Sequence, residues 1–350
     1  MKKLLILFLT LFVAGVYAAE KPLIRIHTDQ TDLVYRVDDR GRLCQSYLGT
    51  AFHDATDLAQ LPTGDEALTT YGSKNYFTPA LRLTHNDGNT SLQLTYVSHE
   101  IRPLGEGVNE TTIRLRDEVY PVEIQLIITA FERENVIKSR TEIIHTERRP
   151  IVLYEYASSM LHLGAESYYL TEFAGDWAHE ANMTERRLDF GKKILDTTLG
   201  SRANMFCSPL FAVALDNPMS ETEGQVLLGT LAWTGNFRFT FEVDQNNNLR
   251  ILSGINPYAS EYSLKPGEIF RTPEFIFTFS TEGAGSASRS MHDWARRHQL
   301  KDGTEDRMTL LNNWEATYFD FNEEKLAAIM DDAATLGVDM FLLDDGWFGN

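Results

Sequence analysis

Two short polar clusters near the end of the chain carry the residue types best suited to chemistry. Residues 312–315 (Asn-Asn-Trp-Glu) close one apolar run, and residues 344–347 (Asp-Asp-Gly-Trp) close the next. Carboxylates accept hydrogen bonds from hydroxyl groups, and an indole ring packs well against an apolar C–H face. Because a sugar offers both kinds of surface, these clusters predict a carbohydrate site.

The segment between the two clusters predicts a helix that would position them. Asn322 can cap its start, apolar side chains recur at i, i+3, i+4 and i+7 from Leu326 to Ala333, and Gly337 can end it. The flanking apolar runs, residues 310–311 and 338–343, lack the alternation of half-solvated strands. A right-handed strand–helix–strand unit follows, with both polar clusters at the carboxyl ends of parallel strands, where ligands bind in barrels and open sheets.

The same two clusters carry a family resemblance. Residues 312–321 (Asn-Asn-Trp-Glu-Ala-Thr-Tyr-Phe-Asp-Phe) and 343–349 (Leu-Asp-Asp-Gly-Trp-Phe-Gly) resemble the motifs that open the barrel of retaining α-galactosidases of glycoside hydrolase family 36, at the usual separation. Residues 234–237 and 254–257 are similar to weaker motifs of that family. The resemblance implies a multi-domain chain, with an N-terminal all-β supersandwich followed by the first strands and helix of an incomplete (β/α)8 TIM barrel.

The resemblance also implies roles for single residues. Asp344 and Asp345 match the pair that binds galactose hydroxyls, with Trp314 and Trp347 beside them. A retaining glycosidase needs two carboxyl groups about 5 to 5.5 Å apart, whereas adjacent strand residues point to opposite faces. No match to the segments that carry the nucleophile and the acid/base occurs, so the resemblance implies that no catalytic residue lies in this chain and that both groups follow Asn350 in a longer enzyme.

Alternatives remain for several of these residues. The two aspartates could form a helix cap or a solvated turn, and the two tryptophans could be core aromatics. Glu315 and Asp320 are predicted as structural hydrogen-bonding groups. In residues 71–76 the family often has an aspartate that contacts sugar, and here Asn75 stands in that place. An amide still bonds a hydroxyl but brings no charge, which leaves substrate preference and subunit contacts open.

The predicted function is retaining hydrolysis of terminal non-reducing α-D-galactosyl residues in oligosaccharides, by double displacement and without cofactor or metal. The histidines show no metal-ligand spacing. The same scaffold could instead prefer an N-acetylated galactose, and a non-catalytic carbohydrate-binding or interaction module is the alternative from another class. A homo-oligomer is implied by resemblance only.

Composition limits the partners. The chain has 350 residues, of which 43% are hydrophobic, and a formal net charge of −18. This length predicts two domains with sizeable cores. A strongly negative surface repels phosphate backbones and anionic membranes, so no nucleic-acid partner is predicted, whereas a neutral sugar meets no such repulsion.

The first residues predict export. Lys2 and Lys3 precede an apolar core at residues 4–13, and small residues follow at Ala18 and Ala19. This pattern is typical of a secretory signal cleaved after Ala18, which indicates a periplasmic or extracellular protein. The apolar core is shorter than the roughly 20 residues that span a bilayer, so an uncleaved anchor is the lesser alternative, and no membrane contact is predicted after cleavage.

Most of the remaining chain has the short period of β structure. Apolar residues alternate with polar ones from Phe237 to Val243, before a turn at residues 246–248, and Asn86 to Asn89 predict a hairpin between residues 81–83 and 92–96. Together with the resemblance, this pattern predicts four segments: a signal peptide at 1–18, the supersandwich at 19–280, a helical linker at 281–306 and the start of the barrel at 307–350.

The chain has two cysteines, Cys44 and Cys207. In an oxidising compartment they could form a disulfide. Their spacing leaves two buried free thiols at least as plausible.

We expect the 350-residue chain, expressed alone, to hydrolyse no α-galactoside, because the resemblance places both bond-breaking carboxyl groups in later segments. Release of chromophore from a chromogenic α-galactoside measures this. Turnover above that of a heat-denatured sample would contradict the placement of the catalytic pair.

Overall fold

The structure of the chain, a computed structural model, describes residues 22–72 and 77–348. It divides into two compact units, the first ending at Trp294 and the second beginning at Ala295. This division falls within residues 281–306, and the predicted domain limits stay predictions. The predicted signal peptide and Asn75 lie outside the described residues.

The first unit is built from antiparallel strands, which confirms a β-rich domain. Its strands are β1 (Leu23–His27), β2 (Thr31–Val37), β3 (Leu43–Thr50), β4 (Asp65–Glu66), β5 (Leu81–Thr84), β6 (Leu94–Gly105), β7 (Val108–Asp117), β8 (Val122–Phe131), β9 (Val136–His145), β10 (Ile151–Gly164), β11 (Tyr168–Ala174), β12 (Asn182–Leu188), β13 (Gly191–Asp196), β14 (Cys207–Leu215), β15 (Gln225–Leu231), β16 (Phe237–Val243), β17 (Asn248–Ile255), β18 (Tyr262–Leu264), β19 (Ile269–Arg271) and β20 (Phe275–Ser280).

The strands of the first unit form three sheets among the described residues. A small sheet has the order β1-β2-β3-β4, and a six-stranded sheet has the order β13-β16-β17-β10-β18 with β5 also paired to β10. The largest sheet runs β12-β11-β14-β15-β20-β9-β8-β7-β6, with β19 also paired to β9. Short 3₁₀ helices at Ala55–Gln60 and Gly200–Arg202 and the helix α1 (Gly283–Trp294) complete the unit.

A layer of phenylalanines joins the two larger sheets. Phe211 of β14 meets Phe239 and Phe241 of β16 edge to face, with ring centroids 4.9 and 4.8 Å apart. All three rings are buried in one continuous apolar core. Burying each side chain contributes roughly 1.5 to 3 kcal/mol, so this contact between sheets explains why the alternating Phe237–Val243 segment folds as the predicted strand paired with β17.

The predicted hairpin around Asn86 to Asn89 is wrong. The chain does turn there, but β5 pairs with β10 and β6 pairs with β7, so the two arms join different sheets. The cause is the buried ring of His85, whose Nδ1 lies 2.7 Å from a carboxylate oxygen of Glu147 and whose Nε2 lies 2.8 Å from the Ser91 carbonyl oxygen. These bonds anchor the turn to the loop after β9 and override the local turn signal.

Strand β6 forms one edge of the largest sheet. Its pairing with β7 shifts register between Tyr96 and Ser98 and again between Pro103 and Gly105. Val97 and Leu104 therefore sit at bulges, and both side chains are exposed. A bulge bends and twists a strand, and Pro103 lacks an N–H to offer a neighbour.

Both cysteines are free thiols. Cys44 is buried on β3 and Cys207 is half-buried at the start of β14. Burial raises the pKa of each thiol to about 11. Both groups therefore stay protonated at neutral pH, which makes them poor nucleophiles.

The second unit contains the predicted strand–helix–strand order. A π-helical turn at Ala295–Gln299 is followed by β21 (Leu310–Asn312), the short helix α2 (Trp314–Thr317), the helix α3 (Glu323–Leu336) and β22 (Met340–Leu342). Strands β21 and β22 pair in parallel.

The ends of α3 confirm the predicted caps. The Asn322 side chain accepts the Lys325 N–H at 2.9 Å. Gly337 ends the helix in the left-handed conformation, with φ at 80°, where its N–H reaches the last carbonyls. No described helix of the chain combines the length and apolarity needed to cross a membrane.

The carboxylate of Asp32 holds the small sheet together. It is fully buried and accepts two bonds from the Arg25 guanidinium at 2.8 Å, one from the Phe52 N–H at 2.8 Å and one from His27 at 2.9 Å. Burial alone raises the pKa of Asp32, but the bonds from Arg25, Phe52 and His27 outweigh it and leave that pKa below its usual value of 3.8.

We predict that Asp32→Asn lowers the free energy of unfolding by about 3 kcal/mol at pH 7, because it breaks a buried ion pair. Since the pKa of Asp32 is lowered in the folded state, its stabilisation is complete above the ordinary pKa near 3.8 and is lost as the pH falls through the lower folded value. Urea unfolding from pH 7 to pH 2 should therefore show the two proteins converging below about pH 4.

Asp189→Asn is the matched control, since that carboxylate lies in an exposed ion pair with Arg187 at 3.6 Å. It should change stability by less than about 1 kcal/mol. An Asp32→Asn deficit that stays constant down to pH 2 would contradict the prediction.

Candidate functional site

The two polar clusters lie at the same edge of the β21–β22 pair. The parallel register places Leu310 opposite Met340 and Asn312 opposite Leu342. Residues that follow Asn312 and Leu342 therefore leave the sheet side by side. This confirms that the strand ends bring the two clusters together.

Asn312 links the clusters through its side chain. Its Nδ2 donates to Asp344 Oδ2 at 2.5 Å, and its Oδ1 accepts the Trp314 N–H at 2.7 Å. One amide group therefore orients both the Asp344 carboxylate and the start of α2. The bond to a carboxylate is the stronger kind of hydrogen bond.

Asn313 fixes the backbone that carries Asp344. Its side chain is completely buried, at 0% exposure. The Oδ1 atom accepts the Asp344 N–H at 2.8 Å, and Nδ2 donates to Thr317 Oγ1 at 3.0 Å. We call Asn312 and Asn313 the asparagine clamp, because together they hold the Asp344 side chain and main chain.

A matching link closes the other end of the strand pair. Asp339 Oδ2 accepts both the N–H and the hydroxyl of Thr309 at 2.8 Å. The Thr309 N–H, and then its hydroxyl, hold the pKa of Asp339 below its usual range. The short strands are thus held at both ends by side chains.

The turn after β22 packs closely on the loop after α2. Gly346 has φ at 88°, and a Cβ there would lie 2.7 Å from Phe319 Cδ1. Phe319 in turn meets the Trp314 ring edge to face, with centroids 5.0 Å apart. Only glycine combines this backbone conformation with this contact, so Gly346 brings the Asp344–Trp347 turn towards Trp314.

The aromatic residues differ in exposure. Trp314 is half-buried and also meets Tyr318 edge to face at 5.4 Å. Trp347 is 65% exposed, and its ring contacts Phe348 at 5.9 Å. Tyr318 has φ at 46° and ψ at −127°, a strained conformation for a residue with a side chain. Of the two indoles in the polar clusters, that of Trp347 is thus exposed and that of Trp314 half-buried.

The argument that Asp344 and Asp345 occupy opposite faces of a strand is wrong. Strand β22 ends at Leu342, so both lie beyond the sheet in a turn. The Asp344 carboxylate is half-buried and also accepts the Asp345 N–H at 2.7 Å, while Asp345 is exposed and accepts the Gly346 N–H at 2.8 Å. Their placement is therefore set by the bonds of this turn rather than by strand alternation.

Glu315 and Asp320 make the contacts of structural groups. Glu315 accepts the Tyr318 hydroxyl at 3.2 Å, and Asp320 pairs with Lys325 at 2.8 Å. Both carboxylates are exposed. Within the described part of the chain, no group of three or more His, Cys, Asp or Glu side chains is arranged to hold a metal ion.

Sequence reasoning missed the clamp and the role of Phe319. The signal for the clamp was present, since two asparagines follow one parallel strand and an aspartate follows the next at the same edge. The contact of Phe319 with Gly346 depends on the path of the loop, which no local pattern encodes.

Comparison with known proteins gives consistent matches along the chain. Residues 29–265 match the model for the glycosyl hydrolase family 36 N-terminal domain, and residues 269–350 match the model named Melibiase. An α-galactosidase of Lactobacillus acidophilus is 27% identical over 93% of this chain and 49% of its own length. The α-galactosidase AgaA of Geobacillus stearothermophilus is 30% identical over 88% of this chain and 47% of its own length.

Solved structures agree with these matches. A variant of AgaA from Geobacillus stearothermophilus, in complex with raffinose, has a TM-score of 0.87 and 27% identity over 94% of this chain and 51% of its own. Another variant, in complex with stachyose, gives the same TM-score and covers 50% of that chain. This chain therefore spans about half the length of the curated relatives that it matches.

We predict that Asn313→Ala frees the Asp344 N–H and destabilises the second unit by about 2 kcal/mol, since a backbone donor loses the buried side chain that accepts from it. Amide hydrogen exchange of Asp344 in the complete 350-residue chain should accelerate by one to two orders of magnitude. Asn217→Ala is the control, because that exposed side chain lies in the first unit. Unchanged exchange at Asp344 in Asn313→Ala would show that the clamp does not hold this turn.

Proposed function

Because this chain belongs to glycosyl hydrolase family 36, we propose that it is part of a retaining α-galactosidase that hydrolyses terminal α-linked galactosyl residues of oligosaccharides. The observation that carries the proposal is the asparagine clamp, which holds the Asp344 carboxylate beside Trp314 at the carboxyl ends of two parallel strands.

In this proposal Asp344 and Asp345 bind substrate hydroxyls. Asp344 is half-buried and oriented by Asn312, so its lone pairs face a fixed direction, while Asp345 is exposed. Carboxylates in such positions accept bidentate hydrogen bonds from vicinal hydroxyls. Trp314 and Trp347 would pack on the apolar face of the sugar, and Asn75 would add an uncharged contact.

We further propose that the second unit is the opening of a (β/α)8 barrel, and the first unit the supersandwich of the family. The side chains of Leu310, Met340 and Leu342 point to one face of the strand pair, and they are 46%, 43% and 45% exposed. A wide apolar surface of this kind normally packs against further structure. In a barrel, the side chains on that face would fill the interior together with side chains from the other strands.

The bond-breaking step is assigned to other carboxyl groups. Both aspartates already accept hydrogen bonds from the turn that they belong to. Double displacement needs a nucleophile and an acid/base that face each other across the glycosidic bond. We propose that the whole enzyme supplies them from segments outside the described residues.

The substrates proposed are α-galactosides such as raffinose and stachyose, which two related AgaA structures contain. A preference for N-acetylated galactose is the alternative specificity, and comparison of the two chromogenic substrates would separate them. Export is proposed from the pattern of residues 1–18, and a mature protein that begins at Ala19 would support it. A homo-oligomer is proposed on family grounds only.

We predict that Asp344→Asn in the complete gene product lowers kcat/KM on a chromogenic α-galactoside at least about tenfold, because a charged acceptor for sugar hydroxyls is lost. Asp332→Asn is the matched control, since it changes an exposed carboxylate on α3. Initial rates across substrate concentrations give both constants. A folded complete protein that leaves every α-galactoside intact would refute the proposed activity.

A further inference from the structure

A large polar cavity lies within the first unit, between the small sheet and the β16–β17 turn. Its volume is about 780 Å³, and its walls include the turn between β2 and β3, residues 63–66 and Gln245. Two smaller cavities, of about 50 and 210 Å³, share the Glu66 side chain with it. We call the three together the Glu66 cleft, and the first of them alone has the size of a typical small-molecule site.

Glu66 is poorly satisfied by its protein neighbours. Its side chain is 14% exposed, and its nearest cation is Arg42, with nitrogen and oxygen 3.7 Å apart. Among the residues that the structure describes, no group donates a hydrogen bond to its carboxylate. Burial, against the weaker opposing effect of Arg42, raises the pKa of Glu66. A carboxylate held in this way costs stability, and perturbed groups in clefts are candidates for function.

Arg42 makes its short bonds to a different carboxylate, that of Asp38. Its guanidinium bonds Asp38 at 2.7 and 2.8 Å, and Asp38 also accepts two backbone N–H groups of the same turn. Arg42 therefore makes its short bonds to Asp38 and only a longer ion pair, at 3.7 Å, to Glu66. The Glu66 carboxylate keeps free acceptor capacity towards the cleft.

Donors line the same cleft. The buried Nε of Arg36 has no acceptor among the described residues, although the guanidinium reaches the Leu58 carbonyl through Nη2. Arg40 lies in the wall of two of the cavities and is exposed. Arg36 therefore brings to the cleft wall a guanidinium that its described neighbours satisfy only in part.

Side chains at the inner end of the cleft are held by hydrogen bonds and by a contact with an aromatic ring. Arg250 is buried, bonds Glu242 at 2.7 Å and lies 4.6 Å from the centroid of the Phe77 ring. His162 donates from Nε2 to the Glu66 carbonyl oxygen at 3.0 Å. Cys44 also lines the cleft, but its raised pKa of about 11 keeps it a neutral thiol and argues against thiolate chemistry.

The chemistry of the lining selects a ligand class. The cleft is lined by both arginine and carboxylate side chains, so neither an anion nor a cation meets a surface of one sign. No metal-type cluster occurs among the described residues. A neutral ligand with many hydroxyl groups can accept from Arg36 and Arg40 and donate to Glu66 at once.

We propose that the Glu66 cleft is a second binding site for a neutral oligosaccharide, distinct from the site at the ends of β21 and β22. Glu66 accepts from ligand hydroxyls, and Arg36 and Arg40 donate to ligand oxygens. No bond is made or broken there. This inference stands on the cleft alone and does not depend on the proposed hydrolysis.

The test is titration of the 350-residue chain with raffinose, a neutral trisaccharide, followed by backbone amide NMR. We expect shifts at Gly64 and Gln245, which lie in the cleft wall, and weaker binding of free galactose, which fills less of the cavity. Glu66→Gln should weaken raffinose binding at these amides about tenfold or more. Asp344→Asn should leave it unchanged, which separates this inference from the proposed activity.

Matched variants keep the outcome interpretable. Glu66→Gln should unfold at the same or a higher urea concentration than the native chain, because the carboxylate makes no hydrogen bond that would be lost. Glu261→Gln changes an exposed carboxylate and should not affect binding. Arg40→Ala tests the same site independently, with binding again weakened. Two results would overturn the proposal. One is the absence of raffinose shifts at Gly64 and Gln245, and the other is a raffinose affinity of Glu66→Gln and Arg40→Ala equal to that of the native chain.

Discussion

The burial of one phenylalanine layer between two wide antiparallel sheets is the constraint on which the first unit depends. Phe211 on one sheet and Phe239 and Phe241 on the other interlock edge to face. Such pairs add to the burial of their area through the favourable orientation of the rings. Because the layer fixes the separation of the sheets, the turns at their margins are free to carry polar groups, and the Glu66 cleft lies at one such margin.

The second unit is held by a different kind of interaction. Its strands are three residues long and bury little, so side chains at both ends supply what a longer ladder would provide. Thr309 and Asp339 close one end, and the asparagine clamp closes the other. The clamp residues also orient Asp344, which we propose binds the sugar, so the same hydrogen bonds serve local structure and the proposed site.

The sequence predicted those features that follow from local periodicity and capping. The alternation in Phe237–Val243, the cap at Asn322 and the stop at Gly337 are each determined by a few neighbouring residues, and the structure confirms them. The pairing of β5 was not predictable in this way, because His85 is held by Glu147, 62 residues away. The turn position of Asp344 likewise depends on where β22 ends, which the apolar run from Val338 to Leu343 did not reveal.

The edge strand β6 has a consequence for how the molecule behaves at high concentration. A straight, unpaired strand offers its N–H and C=O groups as a template on which another copy can extend the sheet. Here two register shifts and Pro103 interrupt that template, even though Ile101 and Leu104 present apolar surface. The domain can therefore expose a long strand to solvent while discouraging fibril-like polymerisation along it.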